Sequence, residues 1–84
     1  MQLEILTPEH RVYSGTVYGI QLPGTEGTFE ILDRHAPMIA SLGQGKMKIM
    51  KEKGQTELYE ITGGFVEMLN NKASVLIEGA TLME

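Results

Sequence analysis

The chain has 84 residues, 42% of them apolar, with 11 acidic against 7 basic side chains, a net charge of −4 and no cysteine. That length makes one domain with a thin core, burying roughly 60–65% of its unfolded surface, and the apolar share excludes a disordered chain. The acidic balance argues against nucleic acid or an anionic bilayer as partner. The absence of cysteine excludes disulfides and fits a reducing compartment. No apolar run approaches the roughly 18 residues of a membrane span, and no basic-then-apolar leader is visible.

From the N-terminus onward, short period-two alternations recur between turn residues. Leu3 and Ile5 share one face, with Gln2 and Glu4 on the other. Thr7-Pro8 and Ser14-Gly15 read as turns, with His10 in a polar stretch between Glu9 and Arg11. Tyr18, Ile20 and Leu22 alternate with Gly19 and Gln21. Pro23-Gly24 reads as a turn, because Pro presets φ, and Gly24 and Gly27 tolerate positive φ. Phe29 and Ile31 flank Glu30, and 36–42 reads as one helical turn or a strand. After the Gly43-Gln44-Gly45 turn, Met47 and Ile49 alternate with Lys46 and Lys48. Beyond Lys53-Gly54, Tyr59 and Ile61 alternate with Glu60 and Thr62, and Val66 and Met68 flank Glu67. Asn70-Asn71 suits a two-residue hairpin turn, since Asn tolerates positive φ. Val75 and Ile77 flank Leu76, and 79–84 shows no pattern and is expected to fray. The methionines, Met38, Met47, Met50 and Met68 among them, suit irregular gaps in a core. The expected fold is all-β: one domain over 1–84, a small flattened antiparallel β-sandwich of about 8–10 strands.

Catalytic chemistry is hard to assemble from these residues. Ser41, His35 and Asp33 could form a triad only on paper, with no nucleophile elbow behind them. There is no His-x-x-x-His pair, no Cys pair, and Asp33 is the only Asp, so neither a zinc site nor an EF-hand is expected. No phosphate-loop motif is present, and Gly43-x-Gly45 lacks the third glycine and the helix of a dinucleotide fingerprint. No cofactor, metal or catalytic residue is therefore expected. What remains is a binding surface carried on loops.

Two motifs carry a family resemblance. Leu22-Pro23-Gly24-Thr25-Glu26-Gly27, a short strand and then His35-Ala36-Pro37 form one; Gly63-Gly64-Phe65-Val66-Glu67 forms the other. Their order and separation resemble the N-terminal β-sandwich domain of the epsilon subunit of F-type ATP synthases, over Leu3 to about Ala80. The resemblance implies a non-catalytic rotor subunit of the central stalk. Such a subunit binds gamma, sits on the ring of c subunits and couples proton translocation to ATP synthesis. It lies peripherally on the cytoplasmic face of the bacterial inner membrane, reaching the membrane only through its partners.

The resemblance further implies a ring-facing set, Pro23, Gly24, Thr25, Glu26, Gly27, Thr28, Arg34 and His35, expected together at one end of the sandwich. It also implies a gamma-facing set, Ile39, Gly63, Gly64 and Phe65. The adjacent glycines suggest a close approach of another backbone, or a bulge. His35 is expected to brace its loop through a ring nitrogen and a backbone carbonyl. The chain departs from the family pattern at Glu30, where many members carry Gly, and at Asp33-Arg34, where many carry Pro-Gly or Pro-Asn. The family's C-terminal helical hairpin is not in this sequence; a naturally short form is expected, with a truncated longer chain as the alternative. Some members bind ATP through an Asp-x-x-Arg-Ala motif on that hairpin; Asp33-Arg34 has neither its spacing nor its position. The alternative is a small β carrier or protein-binding module unrelated to this family. Lys46-Met47-Lys48 reads as strand, not as the lysine-bearing hairpin tip a carrier needs.

Overall fold

The computed structural model describes residues 1–83, the side chain of Lys53 excepted. The chain forms eight strands: β1 (Gln2–Leu6), β2 (Arg11–Thr16), β3 (Gly19–Gly24), β4 (Gly27–Leu32), β5 (Met38–Leu42), β6 (Gly45–Met50), β7 (Thr56–Leu69) and β8 (Lys72–Met83). A short 3-10 helix, Glu52–Gly54, joins β6 to β7. All eight strands belong to one hydrogen-bonded sheet, in the order β2-β1-β8-β7-β5-β3-β4 with β6 between β3 and β7.

That sheet is folded over on itself. The second half of β7 pairs with β5, and the first half of β8 pairs with β1. The first half of β7 pairs with β6, which passes to β3 and β4. Both long strands therefore serve two layers. Layer 1 is β2-β1-β8-β7-β5, and layer 2 is β8-β7-β6-β3-β4. Leu3, Ile5, Val66, Met68, Ala73 and Val75 of layer 1 face Ile20, Leu22, Ile31, Met47, Ile49 and Ile61 of layer 2, all buried. Alternation correctly marked every one of these except Ala73. Met47 and Met68 fill the core as expected, whereas Met38 and Met50 pack half-buried at its margin.

Several expectations about the fold need correction. The sandwich is not wholly antiparallel, because β1 runs parallel to β8. The two strands are far apart in sequence, no hairpin fixes their direction, and alternation cannot report it. Nor is the domain flattened: its extents are 26 × 26 × 24 Å, since both layers twist and share bent strands. The tail does not fray over 79–83, where β8 continues to pair with β7 from Gly79↔Thr62 to Met83↔Leu58; Glu84 lies outside the described residues. Ser14-Gly15 is not a turn but mid-strand, held by Gly15↔Leu3. Tyr18 precedes β3 and is exposed; its amide donates to Met50 O and its carbonyl accepts from Asp33 N, so its backbone forms a corner. The ambiguous 36–42 stretch resolves as strand from Met38, and Asn70-Asn71 takes the two positive φ values (52° and 58°) of a tight hairpin.

The fold line crosses Gly64. A β-carbon there would stand 2.1 Å from Leu76 O and 2.8 Å from Ile77 Cα. At Gly63 the nearest atom, Leu42 O, would be 3.7 Å away, an ordinary contact. The β7–β8 register is the same on both sides of this point, from Leu58↔Met83 to Leu69↔Lys72, so the pair of glycines marks no bulge. Gly64→Ala should therefore destabilise the domain by about 3 kcal/mol, through overpacking against fixed backbone. At this size that lowers Tm by at least about 12 °C. Gly63→Ala should lower it by no more than a few degrees; equal melting curves for the two variants would contradict this account.

Candidate docking surfaces

The first surface is the β3–β4 hairpin. Pro23 and Gly24 end β3 rather than forming the turn; Thr25-Glu26 is the two-residue turn, and Gly24 pairs with Gly27. Gly27 takes the positive φ (130°) that Thr25 and Glu26 avoid. A β-carbon on Gly24 would lie 2.8 Å from Phe29 Cε1, so this glycine lets the Phe29 ring cover the hairpin end. Thr25 N donates to Ser41 O (3.1 Å) and Gly43 N to Pro23 O (2.8 Å), which fixes the tip against β5. Between them lies a groove of about 540 Å³ lined by Thr25, Glu26, Thr28, Phe29, Ile39 and Ser41, among others.

The other end of β4 carries the 33–35 loop. His35 N donates to Leu32 O (3.0 Å), and Arg34 adopts φ 68°. The loop is tethered from outside. Asn71 Oδ1 accepts from Arg34 N (2.7 Å), Asn71 Nδ2 donates to Asp33 Oδ1 (3.2 Å), and the Met1 amine pairs with Asp33 at 2.5 Å. His35 Nδ1 lies 2.7 Å from Ala36 O, the brace expected from sequence, with Nδ1 protonated and donating. The N-terminal amine, then Asn71, hold the Asp33 carboxyl below the usual carboxylate range.

The ring-facing set is thus not gathered at one end. Residues 23–28 and 34–35 lie at opposite ends of β4, six residues and roughly 20 Å apart. The sequence reading recognised the short strand between the two motifs but did not count its length as a separation. β4 is an edge strand, however, so a partner lying along that edge reaches both ends.

The second surface is the outer face of layer 1. Register places Leu6, Leu76 and Phe65 side by side across β1, β8 and β7. The next row is Glu4, Ser74, Glu67 and Ile39. Phe65 is 47% exposed and Ile39 72%. Leu6, Thr7, Pro8, Phe65, Leu76 and Glu78 are among the residues that line an apolar groove of about 450 Å³. Of the gamma-facing set, Phe65 and Ile39 share this face, and Ile39 also borders the hairpin groove. Gly64 also lines this groove, but its register partners Leu42 and Ile77 are core residues, and the backbone it approaches is that of its own β8. Leu6 and Leu76 escaped the sequence reading. The signal was the unbroken apolar run Val75-Leu76-Ile77, whose middle residue must face away from the core.

A third cluster is structural. Lys51 Nζ donates to Glu57 Oε2, Tyr59 OH donates to Glu57 Oε1 (3.2 Å), and Lys51 lies 5.6 Å from the centre of the Tyr13 ring. The Lys51 hydrogen bond lowers the Glu57 pKa, and desolvation raises that of Tyr59. These contacts clamp β2 of layer 1 to layer 2. Among the described residues no group of acidic or histidine side chains is arranged to hold a metal, and no helix is long and apolar enough to cross a membrane.

Comparison with known proteins agrees with the geometry. Residues 1–83 match the family described as ATP synthase, Delta/Epsilon chain, beta-sandwich domain. The chain is 45% identical over 83 residues to the ATP synthase epsilon chain of Pelotomaculum thermopropionicum, covering 99% of itself and 61% of that protein. It is 44% identical over 78 residues to that of Desulfatibacillum aliphaticivorans, covering 93% of itself and 55% of that protein. With the epsilon chain of Chlorobium limicola the figures are 38% over 77 residues, 92% and 88%. The fold matches a chain of the Euglena gracilis mitochondrial ATP synthase OSCP/F1/c-ring structure with TM-score 0.89 at 21% identity, over 95% of this chain and 51% of that one. A chain of the Tetrahymena thermophila mitochondrial ATP synthase central stalk/c-ring structure matches with TM-score 0.79 at 18% identity, over 95% and 64%.

Two outcomes are expected at the 33–35 loop and the clamp. Arg34→Gly should stabilise the domain by about 0.5–1 kcal/mol, because the left-handed conformation costs a side-chain-bearing residue more than glycine; urea denaturation would show it, and a lower midpoint would contradict it. Asp33 and Glu57 have folded pKa values below their unfolded ones. Their stabilisation is complete above the unfolded carboxylate range and is lost as pH falls through it towards the folded values. Stability should fall as pH is lowered below about 5, and Asp33→Asn/Glu57→Gln should flatten that fall. An unchanged acid slope in the double variant would show that other groups carry it.

Proposed function

The chain belongs to the ATP synthase delta/epsilon-chain β-sandwich family, and we propose that it is a non-catalytic central-stalk subunit of an F-type ATP synthase. In this reading gamma docks on the outer face of layer 1, and the c ring lies along the β3–β4 hairpin. The observation that carries it is the apolar row Leu6-Leu76-Phe65 with exposed Ile39, on a sheet face that contributes nothing to the core. Apolar area left open in this arrangement marks a protein interface. The two matching structures, an OSCP/F1/c-ring assembly and a central stalk with its c ring, support the same reading.

The hairpin suits a different kind of partner. Thr25, Glu26, Thr28 and Glu30 are polar, and Arg34 and His35 add a basic end, so the edge offers both charge signs along its length. Such contacts set register and association rate more than affinity. Coupling then needs no chemistry from this chain: it transmits torque between gamma and a membrane-embedded ring and remains peripheral, on the cytoplasmic face of a bacterial membrane.

Since the sequence has no cysteine, single cysteines can report the seating. Glu26→Cys and His35→Cys should both crosslink to cysteines in the polar loops of the ring, and Ser74→Cys should not. Crosslinking from one end alone would replace edge seating with tip seating; crosslinking only from Ser74 would overturn the orientation. The purified chain should also bind no ATP, and calorimetric binding tighter than millimolar would contradict the non-catalytic, nucleotide-free role.

A further inference from the structure

The groove beside Leu6, Phe65 and Leu76 has an acidic rim. Glu67 lies on the adjacent outward row of β7, and Glu78 lines the groove from β8. Among the described residues neither enters an ion pair. The two cations on the same face are already engaged: Arg11 Nη2 lies 3.5 Å from Glu4 Oε2, and Lys72 Nζ lies 3.8 Å from Glu4 Oε1. An apolar groove is thus bordered by uncompensated carboxylates, in a chain whose net charge is −4. The outer face of layer 2 differs, because Lys46 stands opposite Glu60 in the ladder, and Lys48 opposite Leu58 and Gln21. On the layer 1 face, the open apolar surface is bordered by carboxylates that enter no ion pair among the described residues.

We propose that this groove receives an aliphatic or aromatic side chain of gamma flanked by lysine or arginine, with Phe65 and Leu76 packing on the apolar group and Glu67 and Glu78 pairing with its basic neighbours. The inference rests on the docking of gamma at this face and adds the chemistry of the docked segment. The two parts have separate jobs. Burial of the apolar group at the centre of the contact holds the complex, because a few such buried anchors dominate the energetics of an interface. The carboxylates at the rim guide approach and orientation, and act mainly on the association rate and its salt dependence.

The test measures affinity and association rate between this chain and gamma at low and high salt. Phe65→Ala should weaken binding by about thirtyfold, chiefly through faster dissociation. Glu67→Lys/Glu78→Lys should slow association on the order of tenfold at low salt and abolish most of the salt dependence. Lys48→Glu, on the opposite face, should change neither, and circular dichroism should show every variant folded. If Phe65→Ala weakens binding while the double charge variant associates like the parent at both salt concentrations, gamma docks here but the basic-flanked occupant is refuted. If neither alters binding, or Lys48→Glu is the variant that weakens it, gamma docks elsewhere and both readings fall.

Discussion

The fold depends on a contact with no room for a β-carbon, where Gly64 of β7 meets the Leu76 carbonyl of β8. A flat strand of 14 residues is about 46 Å long at the usual rise, and the domain measures only 26 Å across. The β7–β8 ribbon must therefore bend. It bends where β7 exchanges β5 for β6 as its neighbour, between Gly64↔Leu42 and Ile61↔Gly45. Once bent, it presents two inner faces to each other, and the apolar residues of one sheet bury one another. The crease and the burial of the two inner faces thus depend on each other.

That interdependence explains what was legible in the sequence. Alternation is a local signal, and it located the core positions of β1, β3, β4, β6, β7 and β8 because each strand has one wet face and one dry face. Pairing direction, the continuity of β7 through both layers and the extension of β8 to Met83 are properties of the ladder, which side-chain types barely encode. Ser14-Gly15 and Pro23-Gly24 look like turns by composition, yet both are held as strand by ladder partners: Glu4 and Leu3 for the first, Thr28, Gly27 and Leu42 for the second. Asn70-Asn71 was legible because the backbone conformation there is itself the requirement. The Gly63-Gly64 pair was read as a close approach of another backbone or a bulge; Gly64 alone makes a close approach, and the approaching backbone is that of the same chain.

The candidate surfaces were partly legible for the same reason. Phe65 and Ile39 were identified, but the face they share is created by register, which sets Leu6 and Leu76 beside Phe65. The residues expected to face a ring were read as one set, but β4 holds their two groups apart. The tether at the far end also depends on contacts distant in sequence. Asn71, at the β7–β8 turn, reaches both Asp33 and Arg34, so the hairpin turn that starts β8 also positions the loop that ends β4. Arg34 stands in a left-handed conformation that Gly or Asn would take more easily. Asn71 accepts its backbone amide, and the Met1 amine and Asn71 together hold the neighbouring Asp33.

These features divide the surface by mechanical role. The apolar face of layer 1 is backed by the core and by the long ribbon, the part of the domain with the most extensive pairing, so load applied there passes into paired backbone. The β3–β4 hairpin lies at the sheet's edge, fixed at one end by Thr25–Ser41 and Pro23–Gly43 hydrogen bonds and at the other by Asp33 and Asn71. An edge strand held at both ends keeps its shape when contacts along it are made and broken, as the polar seat proposed for it requires. Glu26 and Glu30 on the same edge discourage pairing with another copy, because like charges would face each other. A firmly backed apolar face and a charged, braced edge are what a small domain needs to grip one partner tightly and rest on another without fusing to it.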